Sequence, residues 1–264
     1  MAVRSATINV IERAVRRAAR GLVKDFGEVE NLQVSQKGPS DFVSTADKNA
    51  EASLQVDLAK ARPSFGFLLE EGGEIKGTEA DTRWIIDPLD GTTNFLHGVP
   101  HFCISVALER AGEIVAGVIH DPTRDEFFWA EKGVGAYLND RRIRVSGRRN
   151  LQQSLLATGI PFHGHGDHEG FSAQLNAVMP KVAGVRRFGA AALDLAYVAA
   201  GRYEAYWERG ISAWDVAAGT LLVKEAGGFV SEIDGGRDII YGKNILASNA
   251  HLHAPIGKLL RGKS

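Results

Sequence analysis

Acidic residues follow directly on apolar, strand-length segments of this chain, and few folds accommodate that pattern. Segment 84–86 runs into Asp87-Pro88-Leu89-Asp90, segment 65–69 runs into Glu70-Glu71, and Asp215 opens a predicted helix. Buried charge is costly unless something compensates it. We therefore expect rigid strand ends and a helix start to direct these carboxylates towards one point.

Such a carboxylate cluster needs a partner of opposite charge. Without one, the acids repel each other and some must take up protons. Hard divalent cations remove the conflict, and ligation by oxygen alone favours Mg²⁺ over Zn²⁺. The sequence has no cysteine and histidine set with zinc spacing that would compete with this prediction.

The surrounding pattern predicts an α/β fold with layers of helix and sheet. An amphipathic helix carries Ile8, Ile11, Val15 and Leu22, and a second helix begins near Ser44 or Thr45 and ends before Pro63. Antiparallel strands are expected over 103–110, 114–120 and 126–130. After about residue 146, strands and helices alternate: strands at 155–158, 185–187, 204–207, 229–231 and 245–247, and helices at 171–178, 190–200, 216–226 and 251–260.

Composition excludes several classes of protein. Of 264 residues, 31 are Lys or Arg and 32 are Asp or Glu, so a net charge of −1 offers no general field for nucleic acid or an anionic membrane. We therefore expect neither as a partner. Cys103 is the single cysteine, which excludes an internal disulfide framework, suits a reducing compartment and predicts an inert core thiol. No apolar run approaches the length of a membrane span.

Phosphate binding is predicted beside the acids. Gly91 permits a tight turn into a short helix, whose free N–H groups at Gly91, Thr92 and Thr93 form an anion site. A cation site next to a phosphate site indicates phosphoryl chemistry. The chain has no G-x-x-x-x-G-K-[ST] loop to hold a nucleotide donor, so we predict hydrolysis of a phosphate ester.

The segment Trp84-Ile85-Ile86-Asp87-Pro88-Leu89-Asp90-Gly91-Thr92-Thr93-Asn94-Phe95 closely resembles the signature of the inositol monophosphatase family. Segment 214–219, followed by Glu225-Ala226-Gly227-Gly228, is similar to the second signature of that family. Segments 41–47, 70–71 and 189–197 fit between and before them in the family's order. The resemblance spans nearly the whole chain.

This resemblance implies a layered α-β-α-β-α sandwich, comprising one domain over residues 1–264 with an α+β half at about 1–145 and an α/β half at about 146–264. It also implies a lithium-sensitive phosphatase with two or three Mg²⁺ ions per active site. A homodimer in the cytoplasm is expected, acting on a small phosphate ester, with inositol 1-phosphate as the preferred candidate.

Site residues follow from the same resemblance. Glu70, Asp87 and the carbonyl of Leu89 would hold the first ion, and Asp87, Asp90 and Asp215 the second, with Glu70 near a third. Thr92 would orient the attacking water and relay its proton to Asp47, with Glu70 as a rival general base. Substrate contacts are expected from Asp90, Gly91, Thr92, Thr93, Ala191 and Glu208.

Three neighbours of these residues are also assigned. Glu71 is expected to be a neighbour of the ligands, either contacting them or solvated, and not a ligand itself. Arg209, beside Glu208, is a candidate for recognising substrate charge. Ala190 stands where the family commonly has Ser or Thr, which makes inositol preference less secure.

Several alternatives stay open at this point. Asp47 also fits the capping position of a helix start, and Lys37 is equally a surface lysine or a neighbour of the third ion. The loop containing His163, His165 and His168 edges the expected pocket, and its role is open.

Two other functions are consistent with the sequence. Relatives with the same metal core act on fructose bisphosphate or histidinol phosphate. Some bacterial relatives serve as partners of the transcription machinery, a role that would use the surface of the protein and not its pocket.

Overall fold

The computed structural model describes residues 4–28, 34–36 and 42–262. Within them, the α-helices are α1 (Ala6–Phe26), α2 (Thr45–Ala61), α3 (Thr92–Leu96), α4 (His168–Val178), α5 (Ala191–Ala199), α6 (Ala213–Glu225) and α7 (His253–Leu260). None of the helices in this part of the chain is both long and apolar enough to cross a membrane.

The described strands form a hairpin and two larger sheets. The hairpin pairs β1 (Val34–Gln36) with β2 (Phe42–Ser44). The first sheet contains β3 (Gly66–Leu69), β4 (Gly73–Ile75), β5 (Thr82–Asp90), β6 (Cys103–Arg110), β7 (Glu113–Asp121), β8 (Glu126–Glu131), β9 (Gly135–Leu138) and β10 (Arg141–Arg142), in the order β10-β9-β8-β7-β6-β5-β3-β4. The second contains β11 (Leu155–Thr158), β12 (Gly184–Arg186), β13 (Ala205–Arg209), β14 (Phe229–Ser231) and β15 (Asn244–Ser248), in the order β12-β11-β13-β15-β14.

Alternation along the strands assigns each face of a sheet to a different helix pair. On β5, Trp84 and Ile86 pack in the core beneath α1 and α2, whereas Ile85 packs with α5 and α6. On β13, Tyr206 faces α5 and α6, whereas Trp207 faces the core formed with α4 and α7. Because side chains alternate across a strand, the layers run helix, sheet, helix, sheet, helix. The predicted layered α/β sandwich is confirmed.

Small residues let the central helices approach their neighbours closely. A Cβ on Gly117 of β7 would lie 3.0 Å from Cα of Ala218 on α6. A Cβ on Gly219 would overlap the side chain of Leu195 on α5. The interior layer therefore has no room for larger residues at these two contacts.

The N-terminal helix forms as its periodicity predicts. Ile8, Ile11, Val15 and Leu22 are all buried, and the Oγ of Ser5 accepts a hydrogen bond from N–H of Ile8 at 3.2 Å as the N-cap.

Five short strands, β1, β2, β4, β9 and β10, lie outside the strands that the sequence pattern predicts. None of them exceeds four residues, and β4 and β10 are exposed along their whole length. Such segments are too short to carry an alternating apolar pattern, so nothing local marks them as strands.

Candidate active site

The predicted acids meet where several chain segments end or begin. Glu70 directly follows β3, and Asp87 and Asp90 lie at the end of β5, which is parallel to β3. Asp215 lies in the first turn of α6 and Asp47 in the first turn of α2. The carboxyl ends of neighbouring parallel strands share one sheet edge, so these elements bring the side chains to a common place.

A β-bulge shapes the end of β5. The register between β5 and β6 shifts between Asp87 and Asp90, and Pro88, which cannot donate to a ladder, lies inside this shift. N–H of Leu89 donates to Oδ1 of Asp87 at 2.9 Å, while the Leu89 carbonyl accepts from Oγ1 of Thr92 at 2.9 Å. In the segment where the register shifts, the Leu89 carbonyl thus bonds to Thr92 at the start of α3.

The acids form two groups that could each hold a cation. In one group, an oxygen from each of Asp87, Asp90 and Asp215 lies within 4.8 Å of the others. These are the three residues that the family resemblance assigns to the second ion. The same spacing holds for Asp47, Glu70 and Glu71. Glu71 therefore lies beside Glu70 and Asp47, as a neighbour of the proposed ligands would.

Glu51 of α2 fixes the backbone beside this second group. N–H of Glu71 donates to Oε2 of Glu51 at 2.9 Å, and Glu51 is itself buried. The turn after β3 is thereby tied to α2, the helix that carries Asp47.

Proximity and burial change the acidity of these groups. Burial, with the charges of Asp47 and Asp215, raises the pKa of Glu70 to about 9. Burial, with the charges of Glu70 and Asp90, raises the pKa of Asp87 well above its ordinary range. Burial and Asp215 raise the pKa of Asp90 to about 8, and burial raises that of Asp215 to about 6. Without a cation, the cluster therefore retains protons at neutral pH.

The donor set fits a hard divalent cation. Oε2 of Glu70 is buried and has no hydrogen-bond partner among the described residues, and every side chain in the two groups offers carboxylate oxygen. Mg²⁺ prefers such oxygen ligands. A cation would take the place of the retained protons and use the oxygen that the protein leaves unpaired.

Asp90 also holds the start of α5. Its Oδ2 accepts from N–H of Ala192 at 2.6 Å and lies 3.7 Å from Sγ of Cys103. The N-cap residue of α5 is Ala190, whose methyl group cannot accept a hydrogen bond from the helix. The missing hydroxyl at Ala190 is thus compensated by Asp90, a carboxylate from another element at a helix N-terminus.

Gly91, Thr92 and Thr93 lie at the start of α3, as the sequence predicted. Gly91 has φ +97°, and a Cβ there would lie 2.9 Å from the carbonyl oxygen of His101. Oγ1 of Thr92 is 3.5 Å from Oδ2 of Asp47, farther than from the Leu89 carbonyl. Since a hydroxyl donates only one hydrogen, the expected relay to Asp47 is the weaker of its two contacts here.

A cavity of about 260 Å³ opens between these acids and the second sheet. It is lined by the predicted residues Glu70, Asp90, Gly91, Thr92, Thr93, Ala191, Glu208 and Asp215. Glu208 lies on β13, where the fully buried Tyr206 hydroxyl donates to its Oε2. Burial raises the pKa of Glu208 to about 7. A Cβ on Gly159 would overlap the Glu208 carboxylate, so this glycine leaves room for it.

The structure also places residues in the site that the sequence pattern does not single out. Asp194 and Arg187 line the same cavity. Asp194 is an acid inside the apolar segment 190–200, and this isolated polar residue was the available signal.

Arg209 does not line the acidic cavity but lines the one that adjoins it. Arg209, a candidate for recognising substrate charge, bonds the carboxylate of Asp234 at 3.1 Å. Lys37 and Asp41 lie outside the described residues.

An adjoining cavity of about 270 Å³ lies beside the histidine loop. It is lined by His165 and Gln174, among others, and shares Thr158, Gly159 and Glu208 with the acidic cavity. His165 packs near Phe162, with ring centroids 4.8 Å apart. The loop therefore borders the extended pocket.

Comparison with known proteins agrees with this arrangement. The sequence profile of the inositol monophosphatase family matches residues 3–263. The chain is 54% identical over 258 residues to an inositol-1-monophosphatase of Mesorhizobium japonicum, covering 98% of this chain and 97% of that protein. It is 45% identical over 246 residues to the Nus factor SuhB of Pseudomonas aeruginosa, covering 92% and 91% of the two chains.

A solved structure shares the fold at similar identity. The extragenic suppressor protein suhB from Bartonella henselae superposes with a TM-score of 0.95 and 54% identity, over 97% of this chain and 99% of that one. The match of the profile over nearly the full length, together with these identities, shows that the chain belongs to the inositol monophosphatase family of phosphoric monoester hydrolases.

Proposed function

We propose that this protein is a Mg²⁺-dependent phosphatase that hydrolyses small polyol or sugar monophosphates, with inositol 1-phosphate as the preferred substrate. The observation that carries the proposal is the two acid groups, since members of both, Glu70, Asp90 and Asp215, line one cavity together with the Gly91-Thr92-Thr93 turn. Relatives named inositol-1-monophosphatase at 54% identity support the substrate. Homodimer formation and a cytoplasmic location are part of the proposal.

Named residues have separate roles in this proposal. Glu70, Asp87 and the carbonyl of Leu89 hold one cation, and Asp87, Asp90 and Asp215 hold another. When bound, Mg²⁺ stabilises negative charge on the phosphoryl group and acidifies water. Two or three ions per site would satisfy the acids, with the group of Asp47, Glu70 and Glu71 available for one of them.

The remaining side chains bind substrate and move protons. N–H groups at the start of α3 bind phosphate oxygens, and Thr92 orients the attacking water through Oγ1. Asp47, 3.5 Å from that hydroxyl, accepts the proton; Glu70 is the competing acceptor. Glu208 and the backbone at Ala191 bind hydroxyls of the alcohol that leaves.

The decisive experiment measures phosphate release from inositol 1-phosphate, fructose bisphosphate and histidinol phosphate, with Mg²⁺, with EDTA and with added lithium. We expect one polyol substrate to lead, with activity lost in EDTA and inhibited by lithium. Equal activity in EDTA would contradict the metal role, and release from none of the substrates would contradict the proposed reaction.

Asp90→Asn tests the assigned site. Mutating a residue that hydrogen-bonds to a metal ligand typically lowers activity by roughly 10–100-fold. Because Asp90 is itself a proposed ligand and also caps α5, we expect its substitution to lower activity by at least about 100-fold. Asp57→Asn, which removes an acid that pairs with Arg17, is the matched control and should retain wild-type activity. Circular dichroism checks that both variants fold, and a fully active folded Asp90→Asn protein would refute the assignment.

The Nus factor relatives support a second candidate function, in transcription complexes. The same variant separates the two functions. If Asp90→Asn abolishes hydrolysis but still restores growth to cells that lack the protein, the essential role is binding. If growth depends on hydrolysis, the phosphatase role is the essential one.

A further inference from the structure

Asp194 is a buried acid whose side chain is incompletely paired. It lies in the first turn of α5, is 2% exposed and lines the same cavity as Ala191 and Glu208. Its backbone N–H donates to the carbonyl of Ala190 at 3.0 Å as part of the helix. Among the described residues, nothing bonds its side-chain Oδ1, which is shielded from solvent.

An unpaired polar atom at this depth is costly. The flanking helix positions are occupied by Leu193 and Leu195, both fully buried, so an apolar side chain would suit the local helix. Asp194 is therefore poorly explained by folding alone. Because Asp194 is one of the residues that line the cavity containing Glu208, a ligand in this cavity is the partner to consider.

The neighbouring groups define what that partner must offer. Burial, with the charges of Glu208 and Asp90, raises the pKa of Asp194 well above its ordinary range, opposed in part by Arg187. A raised pKa favours the protonated carboxyl group, which both donates and accepts, and the ionised form still accepts. Glu208 has one oxygen engaged by Tyr206, which leaves the other as an acceptor. Alcohol hydroxyls, which donate and accept, match both groups.

We propose that Asp194 is a substrate-recognition residue that hydrogen-bonds one hydroxyl of the alcohol portion of a polyol phosphate, beside the hydroxyl that Glu208 binds. This inference rests on the proposed phosphatase function and extends it from the phosphate to the leaving alcohol. Tyr206 acts as a positioning residue, because its buried hydroxyl fixes the Glu208 carboxylate.

The test compares a substrate that has hydroxyls, inositol 1-phosphate, with one that has none, phenyl phosphate. Losing one hydrogen bond to a hydroxyl corresponds to roughly a three- to tenfold loss of affinity. For Asp194→Leu we expect that loss in kcat/KM for inositol 1-phosphate, mainly through KM, and a change of less than about twofold for phenyl phosphate. Asp194→Asn keeps a donor and an acceptor, so it should retain most of the selectivity.

Thr220→Val is the matched control. Among the described residues, nothing bonds Oγ1 of Thr220, which is also buried but lies outside the acidic cavity. This variant should leave the ratio of the kcat/KM values for inositol 1-phosphate and phenyl phosphate unchanged. Equal losses of kcat/KM on both substrates in Asp194→Leu would assign Asp194 a structural role and overturn the inference. Unchanged kcat/KM values for both substrates in that variant would also overturn it.

Wild-type activity separates the inference from the function on which it rests. Mg²⁺-dependent hydrolysis of inositol 1-phosphate by the wild type, combined with equal losses on both substrates in folded Asp194→Leu, would overturn the inference while the phosphatase proposal stands. Hydrolysis of neither substrate would overturn both.

Discussion

Asp90 shows how one side chain serves both folding and chemistry. The same carboxylate belongs to the cluster with Asp87 and Asp215 and accepts from N–H of Ala192 at the start of α5. Cys103, predicted as an inert core thiol, is buried but contacts this carboxylate, and burial with the charge of Asp90 raises its pKa. A proposed ligand anchored in this way is held in place before any cation binds.

Gly91 carries the sharpest prediction for a single residue. Gly91→Ala places a Cβ against the His101 carbonyl at a backbone φ of +97°. We expect a loss of about 1–3 kcal/mol in the free energy of unfolding, because a left-handed conformation is strained and the contact adds to it. Urea unfolding followed by circular dichroism measures this loss.

Gly98→Ala is the control for that measurement. Gly98 also has a positive φ, of +69°, but a Cβ there meets nothing within 4 Å. The decrease in the free energy of unfolding of Gly98→Ala should therefore reflect backbone strain alone, about 1 kcal/mol. Equal losses in the two variants would show that the approach of His101 does not matter.

Among the helices, α1 and the central pair differ in the substitutions they tolerate. Gly21 lies within α1 and is exposed, and a Cβ there would meet nothing within 4 Å, whereas Gly219 on α6 lies against Leu195. An outer helix is packed on one face only, while the layer between the sheets is packed on both. The same residue type is therefore dispensable in one helix and required in the other.

Gly21→Ala should stabilise the protein by roughly 0.5–1 kcal/mol, since alanine loses less backbone entropy in a helix. Gly219→Ala should destabilise it, because the added methyl group overlaps the Leu195 side chain. Thermal unfolding of both variants measures the two signs. A destabilised Gly21→Ala protein would indicate that a contact covers this face of α1.

Periodicity predicts most of these elements, and its failures have a common cause. Segments such as 6–26 and 103–110 carry a long apolar pattern, so their type could be predicted before the fold was known. The strands β4 and β10 are exposed and short, so pairing with a neighbour defines them and their own residues do not. The division into two halves at about residue 145 stays a prediction.

Across the whole molecule, the acids link stability to both pH and metal. Folded Glu70 and Asp90 have pKa values of about 9 and about 8, above their ordinary 4.5 and 3.8. Between about pH 4 and about pH 9, the folded state therefore binds more protons than the unfolded chain. Consequently the metal-free protein should lose stability as pH rises from about 4 to about 9.

Mg²⁺ should reverse this loss by replacing the protons. A cation at roughly 100 times its Kd adds about 2.7 kcal/mol, or a rise of roughly 5–10 °C in Tm. We expect the rise to be larger at about pH 8.5 than at about pH 6, where protons compete for the carboxylates. Thermal unfolding with Mg²⁺ and with EDTA at both pH values provides the check, and a shift that shrinks with rising pH would contradict this linkage.

Local patterns in the chain were enough to predict most elements, the layered class and the identity of the acids, because strand and helix periods and the Asp87-Pro88-Leu89-Asp90-Gly91 segment can be read without knowing the fold. Long-range packing sets the register shift at the end of β5, the capping of α5 by Asp90 and the burial of Asp194 in the cavity wall. These features depend on which residues meet across the layers, far apart in sequence. Such distances, and the pKa values that follow from them, have no counterpart in a local pattern.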